Sequence, residues 1–210
     1  MEAFTELYRV EADSLVGQRL NELADLVADE LLQPEGYVHK EFERDFTPVG
    51  PAEVSYGHDL ETAWLLLDAA EVLDRSDDTK LLDTARTMGV NSSAWGFDTG
   101  HGGYFHRGPP GEQPDDLAKI WWVNFEALVG LWTVYTLTED VVHLRRMEST
   151  LSWLEDAQDD PYGEWFKETD ESGDPGGSWG DQKGDLQKTS YHNLRALVFT
   201  ADRMEAVLAP

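Results

Sequence analysis

Cysteine is absent from this chain of 210 residues, which excludes a disulfide framework and any thiolate metal site. Basic residues are scarce. Sixteen Lys and Arg stand against 42 Asp and Glu, for a formal net charge of -26, and the acidic excess is spread along the chain instead of gathered in one run. Such a surface repels nucleic acid and anionic membrane, so neither is expected as a partner. It reads either as chance avoidance of anions or as adaptation to a salt-rich cytosol. We favour the second, the halophilic reading, because salt screens the self-repulsion that would otherwise destabilise a compact acidic chain. No apolar stretch reaches the length of a membrane span, and the opening MEAFTELYRVEAD is acidic and amphipathic, unlike a signal peptide. The expected compartment is the cytoplasm. The phosphate-cradling GxxxxGK[ST], the nucleophile elbow GxSxG and the zinc motif HExxH are all missing. His101 and His106 sit in a glycine-rich loop with no carboxylate at ligand spacing. The acidic loop DESGDPGGSWGD (170–181) has Pro175 where a calcium loop needs its sharp-turn glycine. No metal centre and no cofactor are expected.

What the sequence does have is a core and a helical rhythm. Hydrophobic residues make up 40% of the chain, with eight Trp, seven Tyr and eight Phe, enough for a single domain over 1–210. Apolar residues recur at three-and-four spacing in segments that pair off through short turns. The first pair is 2–9 and 14–32, the second 58–74 and 77–91, with Ser76 and Asp77 as candidate N-caps, and the third 115–137 and 139–157. A last helix, 190–206, has no full partner. The expectation is an all-α fold of about seven helices in helical hairpins, closer to a helical barrel than to a regular solenoid. Long loops rich in Gly, Pro and Asp separate the pairs at 33–57, 92–114 and 158–189, lengths usually kept for function. Each carries a short aromatic piece, YVHKEFE, GGYFHR and GEWFKETD, expected to form a small hairpin strand.

The unusual residues cluster at the first turns of the helices that follow those loops: YGHDLETAW (56–64), KIWWVNFEAL (119–128) and SYHNLRAL (190–197). If these starts face one cavity, they gather Tyr56, His58, Trp121, Trp122, Tyr191 and His192, with exposed N–H groups favouring negative charge there. His58 and Glu61 are three apart and share a helical face, so the carboxylate is expected to orient the imidazole as a base; otherwise His58 is a capping or half-buried histidine. Trp121 and Trp122 point about 100° apart, so at most one packs fully while the other can floor a sugar. Lys119, Asn124 and Glu126 flank them as candidate hydrogen-bonding groups for hydroxyls. Arg195, one turn after His192, either enters the same site or pairs with an acidic residue.

Taken in order, YGHDLETAWLLLDA, GGYF, KIWWVNFEALVGL, GEWF and KGDLQKTSYHNLRAL, together with FERDFTP (42–48), resemble the N-acylglucosamine 2-epimerase family, and within it the cellobiose 2-epimerase branch. The resemblance covers nearly the whole chain but only the C-terminal half of the family's length. It implies about half of an (α/α)6 barrel, completed by an N-terminal half polypeptide or an oligomer, or else a truncated product. Carried over residue by residue, it makes His58 and His192 the catalytic pair, with Glu61 beside His58. Trp121, Trp122, Tyr56, Asn124 and Arg195 would line the substrate. Two positions depart from the family's pattern: Gln187 where a tryptophan is common, and Asn124 where glutamine is.

The activity implied by the resemblance is sugar 2-epimerisation or aldose–ketose isomerisation on a mono- or disaccharide, without a cofactor. One histidine removes the C2 proton of the open-chain sugar to give a cis-enediolate. Reprotonation on the opposite face by the other gives the epimer, and at C1 the ketose. Imidazole, with an unperturbed pKa near 6.5, suits both roles near neutral pH. The competing expectation is a carbohydrate-binding remnant without catalysis. A glycoside hydrolase would need two flanking carboxylates, where these helix starts offer histidines.

Overall fold

A computed structural model describes residues 1–179 and 181–208. Seven α-helices alternate in role: α1 (Glu2–Val10), α2 (Ser14–Leu26), α3 (Tyr56–Val72), α4 (Thr79–Gly96), α5 (Trp121–Thr138), α6 (Val141–Trp153) and α7 (Tyr191–Leu208). Both α2 and α6 run on into a π-helical turn, Val27–Leu31 and Leu154–Gln158. At the centre lies α5, apolar on every side, with thirteen of its residues buried from Trp121 to Val134. A helix without a polar face has to be surrounded, and α5 packs against α3, α4, α6 and α7. Close approach is built in at Gly130, where a Cβ would stand 2.7 Å from the Leu60 Cβ of α3. This is the all-α half-barrel that the spacing and the resemblance led us to expect.

How the helices begin separates the outer layer from the inner one. The outer helices α2, α4 and α6 follow short turns and are each N-capped by an aspartate: Asp13 accepts from the Leu15 and Val16 amides, Asp78 from Lys80 and Leu81, and Asp140 from Val142. The inner helices α3 and α5 emerge from strands and carry no side-chain cap at Ser55 and Ile120. The Trp121 N–H donates to the Lys167 carbonyl at 3.2 Å, and the other first-turn N–H groups are left for whatever occupies the space in front of them.

Several boundaries differ from the expected ones. Asp78, not Ser76 or Asp77, caps α4, and that helix continues to Gly96, five residues past the expected end. The third pair starts at Trp121 instead of 115, because 115–120 is held by tertiary contacts. Asp116 turns to Arg107, and Lys119–Ile120 forms a strand. The aromatic pieces of the loops do not close hairpin strands of their own. Strands pair between loops, both times antiparallel: β1 (Val54–Ser55) with β2 (Arg107–Gly108), and β3 (Lys119–Ile120) with β4 (Glu168–Thr169). Only single bridges close within a loop, such as Phe97 with Tyr104 and Asp159 with Trp165. Fully buried Lys119 ties the layer together, donating to Asp98 Oδ2 (2.7 Å) and to the Gly102 carbonyl (2.6 Å), with its ammonium 3.5 Å from the Trp153 ring centroid. It is therefore a structural lysine, not a group for sugar hydroxyls. The strand pairs and this lysine gather the starts of α3 and α5 at one end of the bundle.

Candidate active site

At that end the indole of Trp122 is the common neighbour. Its six-membered ring lies on the backbone of Gly57, where a Cβ would come within 2.6 Å of Cζ3, so the first turn of α3 admits the tryptophan only because residue 57 is glycine. The His58 ring tilts against the indole with centroids 4.5 Å apart. His192 lies at 5.7 Å, and His106 stands edge-on at 6.4 Å. Three imidazoles thus surround one half-buried aromatic floor.

Each imidazole is held through Nδ1. His58 Nδ1 pairs with Ser55 Oγ at 2.7 Å, His192 Nδ1 with Glu126 Oε1 at 2.7 Å and His106 Nδ1 with Asp116 Oδ2 at 3.3 Å. An ionised carboxylate can only accept, so in His192 and His106 the Nδ1 carries the proton and Nε2 keeps its lone pair. Among the described residues none of the three Nε2 atoms has a hydrogen-bond partner. Burial, then the neighbouring His106 and His192, hold His58 below the ordinary imidazole pKa, so at neutral pH it is an uncharged base.

Behind His192 lies a charged cluster. The Arg195 guanidinium donates to Glu61 Oε1 and Glu126 Oε1, each at 2.6 Å, and also pairs with Glu2 and the Tyr191 hydroxyl. Glu126, fully buried, is further fixed by the Trp64 indole N–H at 3.1 Å. Burial by itself would lower the Arg195 pKa, but Glu126, Glu2 and Glu61 carry it above the usual arginine value. Burial and then the Glu126 charge push Glu61 up, against the pull of Arg195. One ligand atom each from Glu61, Glu126 and His192 lie within 4.8 Å of one another, a spacing that could hold a metal ion. The Arg195 guanidinium already donates to both carboxylates there.

The structure brings His58, His192, Glu61, Trp122 and Arg195 to one place, and it changes several roles. Glu61 does not orient His58; its carboxylate faces Arg195, and Ser55 takes the place at His58 Nδ1. The orienting carboxylate belongs to His192 and is Glu126. Arg195 has a side chain only 8% exposed and braces carboxylates instead of facing a sugar. Tyr56 is fully buried beneath the β2 turn, with its phenol pushed up to about 12 by burial and then by Asp115. Asn124, also fully buried, accepts from the Tyr104 amide at 2.7 Å and donates to the Ile120 carbonyl, so it anchors the GGYF loop. Trp121 is the tryptophan that packs inward; it meets His192 edge-on at 6.3 Å, with the ammonium groups of Lys167 and Lys188 5.8 and 5.6 Å from its ring. One residue of the site, Ser55, went unnoticed in the sequence, and His106 was weighed there only as a metal ligand. Glu126 was expected only as a group for sugar hydroxyls, although it stands four residues after Trp122 and so on the same helical face.

The N-acylglucosamine 2-epimerase (GlcNAc 2-epimerase) family model matches residues 1–196. The chain belongs to this family. It is 28% identical over 200 residues to the cellobiose 2-epimerase of Bacteroides fragilis, a match that takes in 94% of this chain and 50% of that protein. The cellobiose 2-epimerase of Spirochaeta thermophila superposes with a TM-score of 0.87 at 28% identity, over 99% of this chain and 51% of that one. A D-mannose isomerase superposes with a TM-score of 0.84 at 22% identity, which speaks to the fold alone. The chain spans about half the length of the curated relatives it matches, in line with the half-barrel.

Proposed function

We propose that this member of the N-acylglucosamine 2-epimerase family carries the proton-transfer half of a sugar 2-epimerase or aldose–ketose isomerase. The observation that carries this reading is the pair His58 and His192, pinned through Nδ1 and leaving Nε2 free beside one indole. With the open-chain sugar on Trp122, one Nε2 takes the proton from C2, whose acidity comes from the adjacent aldehyde. The electron pair passes into a cis-enediolate, and the other imidazole returns a proton. Return to the opposite face of C2 gives the epimer, and return to C1 gives the ketose. His58, held uncharged, suits the base role at neutral pH; His192, its Nδ1 proton held by Glu126, suits either. The uncapped starts of α3 and α5 point partial positive charge toward the developing oxyanions.

A groove of about 680 Å³ lies open between α5, α6 and α7, lined by Leu128, Trp132, Leu144, Met147, Leu197 and Met204 among others. A closed barrel buries such faces. Together with the half-length match, it supports a second polypeptide, an N-terminal half, as the completing partner. The acidic surface supports a salt-rich cytoplasmic setting.

The test is product formation from mannose, glucose, N-acetylmannosamine and cellobiose at high KCl. The chain is assayed alone and with a separately made N-terminal half of a cellobiose 2-epimerase. Epimer or ketose that appears in either mixture and disappears with His192→Ala supports the reading. Sugar binding without product in both mixtures would favour a binding module instead.

A further inference from the structure

We infer that His106 is a third sugar-contacting residue, whose Nε2 accepts a hydrogen bond from a hydroxyl of a sugar resting on Trp122 and so helps to set which sugars bind. The inference rests on the reading of Trp122 as a sugar floor. Nothing in the reaction at C2 calls for a third imidazole, yet this one is built into the same wall. Its backbone N–H donates to the Ala118 carbonyl at 2.9 Å. The residue after it, Arg107, pairs across the β1–β2 ladder with Ser55, the residue that holds His58. The two histidines are therefore set by one strand pair, on one indole.

The side chain is fixed from behind. Asp116 Oδ2, which accepts from His106 Nδ1, also accepts from Arg107 Nε at 2.9 Å, while Asp116 Oδ1 accepts from the Ala118 amide at 3.2 Å. A carboxylate so occupied cannot swing, and it sets the tautomer with the proton on Nδ1. The ring keeps 20% of its side-chain surface exposed, and its Nε2 has no partner among the described residues. Burial, then Arg107, hold His106 below the ordinary imidazole pKa, which favours the uncharged form, a hydrogen-bond acceptor at neutral pH. A hydroxyl is a donor that fits such an atom. An edge-on ring beside a stacking floor is placed to meet the rim of a pyranose or of its open chain, away from the face where protons are moved.

Three substitutions separate contact from scaffolding. The side-chain amide of His106→Gln reaches the place of Nε2, that of His106→Asn only the place of Nδ1, and His106→Phe keeps a ring with neither. Binding of mannose and of cellobiose is followed by tryptophan fluorescence at high KCl, on the wild-type chain and on the three variants, with each fold checked by circular dichroism. The inference predicts that Phe and Asn each weaken binding about tenfold, the loss of one hydrogen bond, and that Gln stays within about threefold of wild type. Binding equal in all four, or kept by Asn and lost by Gln, would mean that His106 only braces Asp116, and would overturn the inference while the sugar reading stands. No binding of either sugar by the folded wild type, alone or completed by the N-terminal half, would overturn the sugar reading and this inference with it.

Discussion

His192 and its carboxylate are the residues on which the chemistry depends most. Replacing Glu126 by Gln keeps the shape but exchanges the carboxylate that accepts from His192 Nδ1 for a neutral amide; a fall in turnover of about 10²-fold or more is expected, within the range for general-base catalysis. A rate unchanged by that substitution would remove His192 from the proposed role. Gly57→Ala tests the floor: the added Cβ would meet the Trp122 ring at 2.6 Å, so the indole must shift, and sugar binding should weaken while the helix, which gains from alanine, is retained. A crystal structure with Trp122 unmoved would contradict this. At this scale only part of the site was legible. His58, His192 and the pair Trp121 and Trp122 were legible from their positions at helix starts, but not which of the two tryptophans packs inward. The partner of each imidazole was not, because Ser55 reaches its histidine from a strand and Glu126 reaches His192 from another helix, 66 residues away in sequence. Local spacing favoured Glu61 for His58 and could not see that Arg195 draws Glu61 away.

Helices were the legible elements, since an apolar repeat records which faces are buried, and all seven were expected. Their ends were less legible. The start of α5 is set by Lys119 and its partners Asp98 and Gly102, contacts 17 to 21 residues apart, and no local signal marks them. The loop strands pair between loops, so their partners could not be read from within one loop either. Within α3, Asp59 is buried at the first turn, accepting from the Val38 amide at 3.1 Å and from Ser92 Oγ at 3.4 Å. Burial outweighs these donors and pushes its carboxyl up to about 8. A carboxyl whose folded pKa lies above its unfolded value contributes stability that is fully present below the unfolded pKa, near 3.8, and is lost as pH rises through the folded one. Between about pH 5 and 8 the wild type should therefore lose roughly 1 kcal/mol per pH unit from this residue. Asp59→Asn should flatten that slope in urea titrations, and parallel slopes for the two proteins would show that Asp59 is ionised in the fold.

For the whole molecule, the charge and the half-length match to its relatives are the governing facts. A net charge of -26 on 210 residues opposes compaction unless screened, so the melting temperature should rise between dilute buffer and molar KCl. A melting curve indifferent to salt would argue against the halophilic reading. The acidic excess was plain from composition, and the half-length from the order of the motifs. The open groove between α5, α6 and α7 needed the structure, because a sequence does not show which apolar face lacks a cover. The most direct test of the account is exchange at C2. The chain is incubated with mannose and with cellobiose in D2O at high KCl, and loss of the C2 proton is followed by NMR beside the His58→Ala and His192→Ala variants. The account predicts deuterium at C2 with the wild-type chain, alone or completed by an N-terminal half, and none with either variant. Exchange that survives both substitutions, or its absence from a folded and completed sample that binds the sugar, would contradict it.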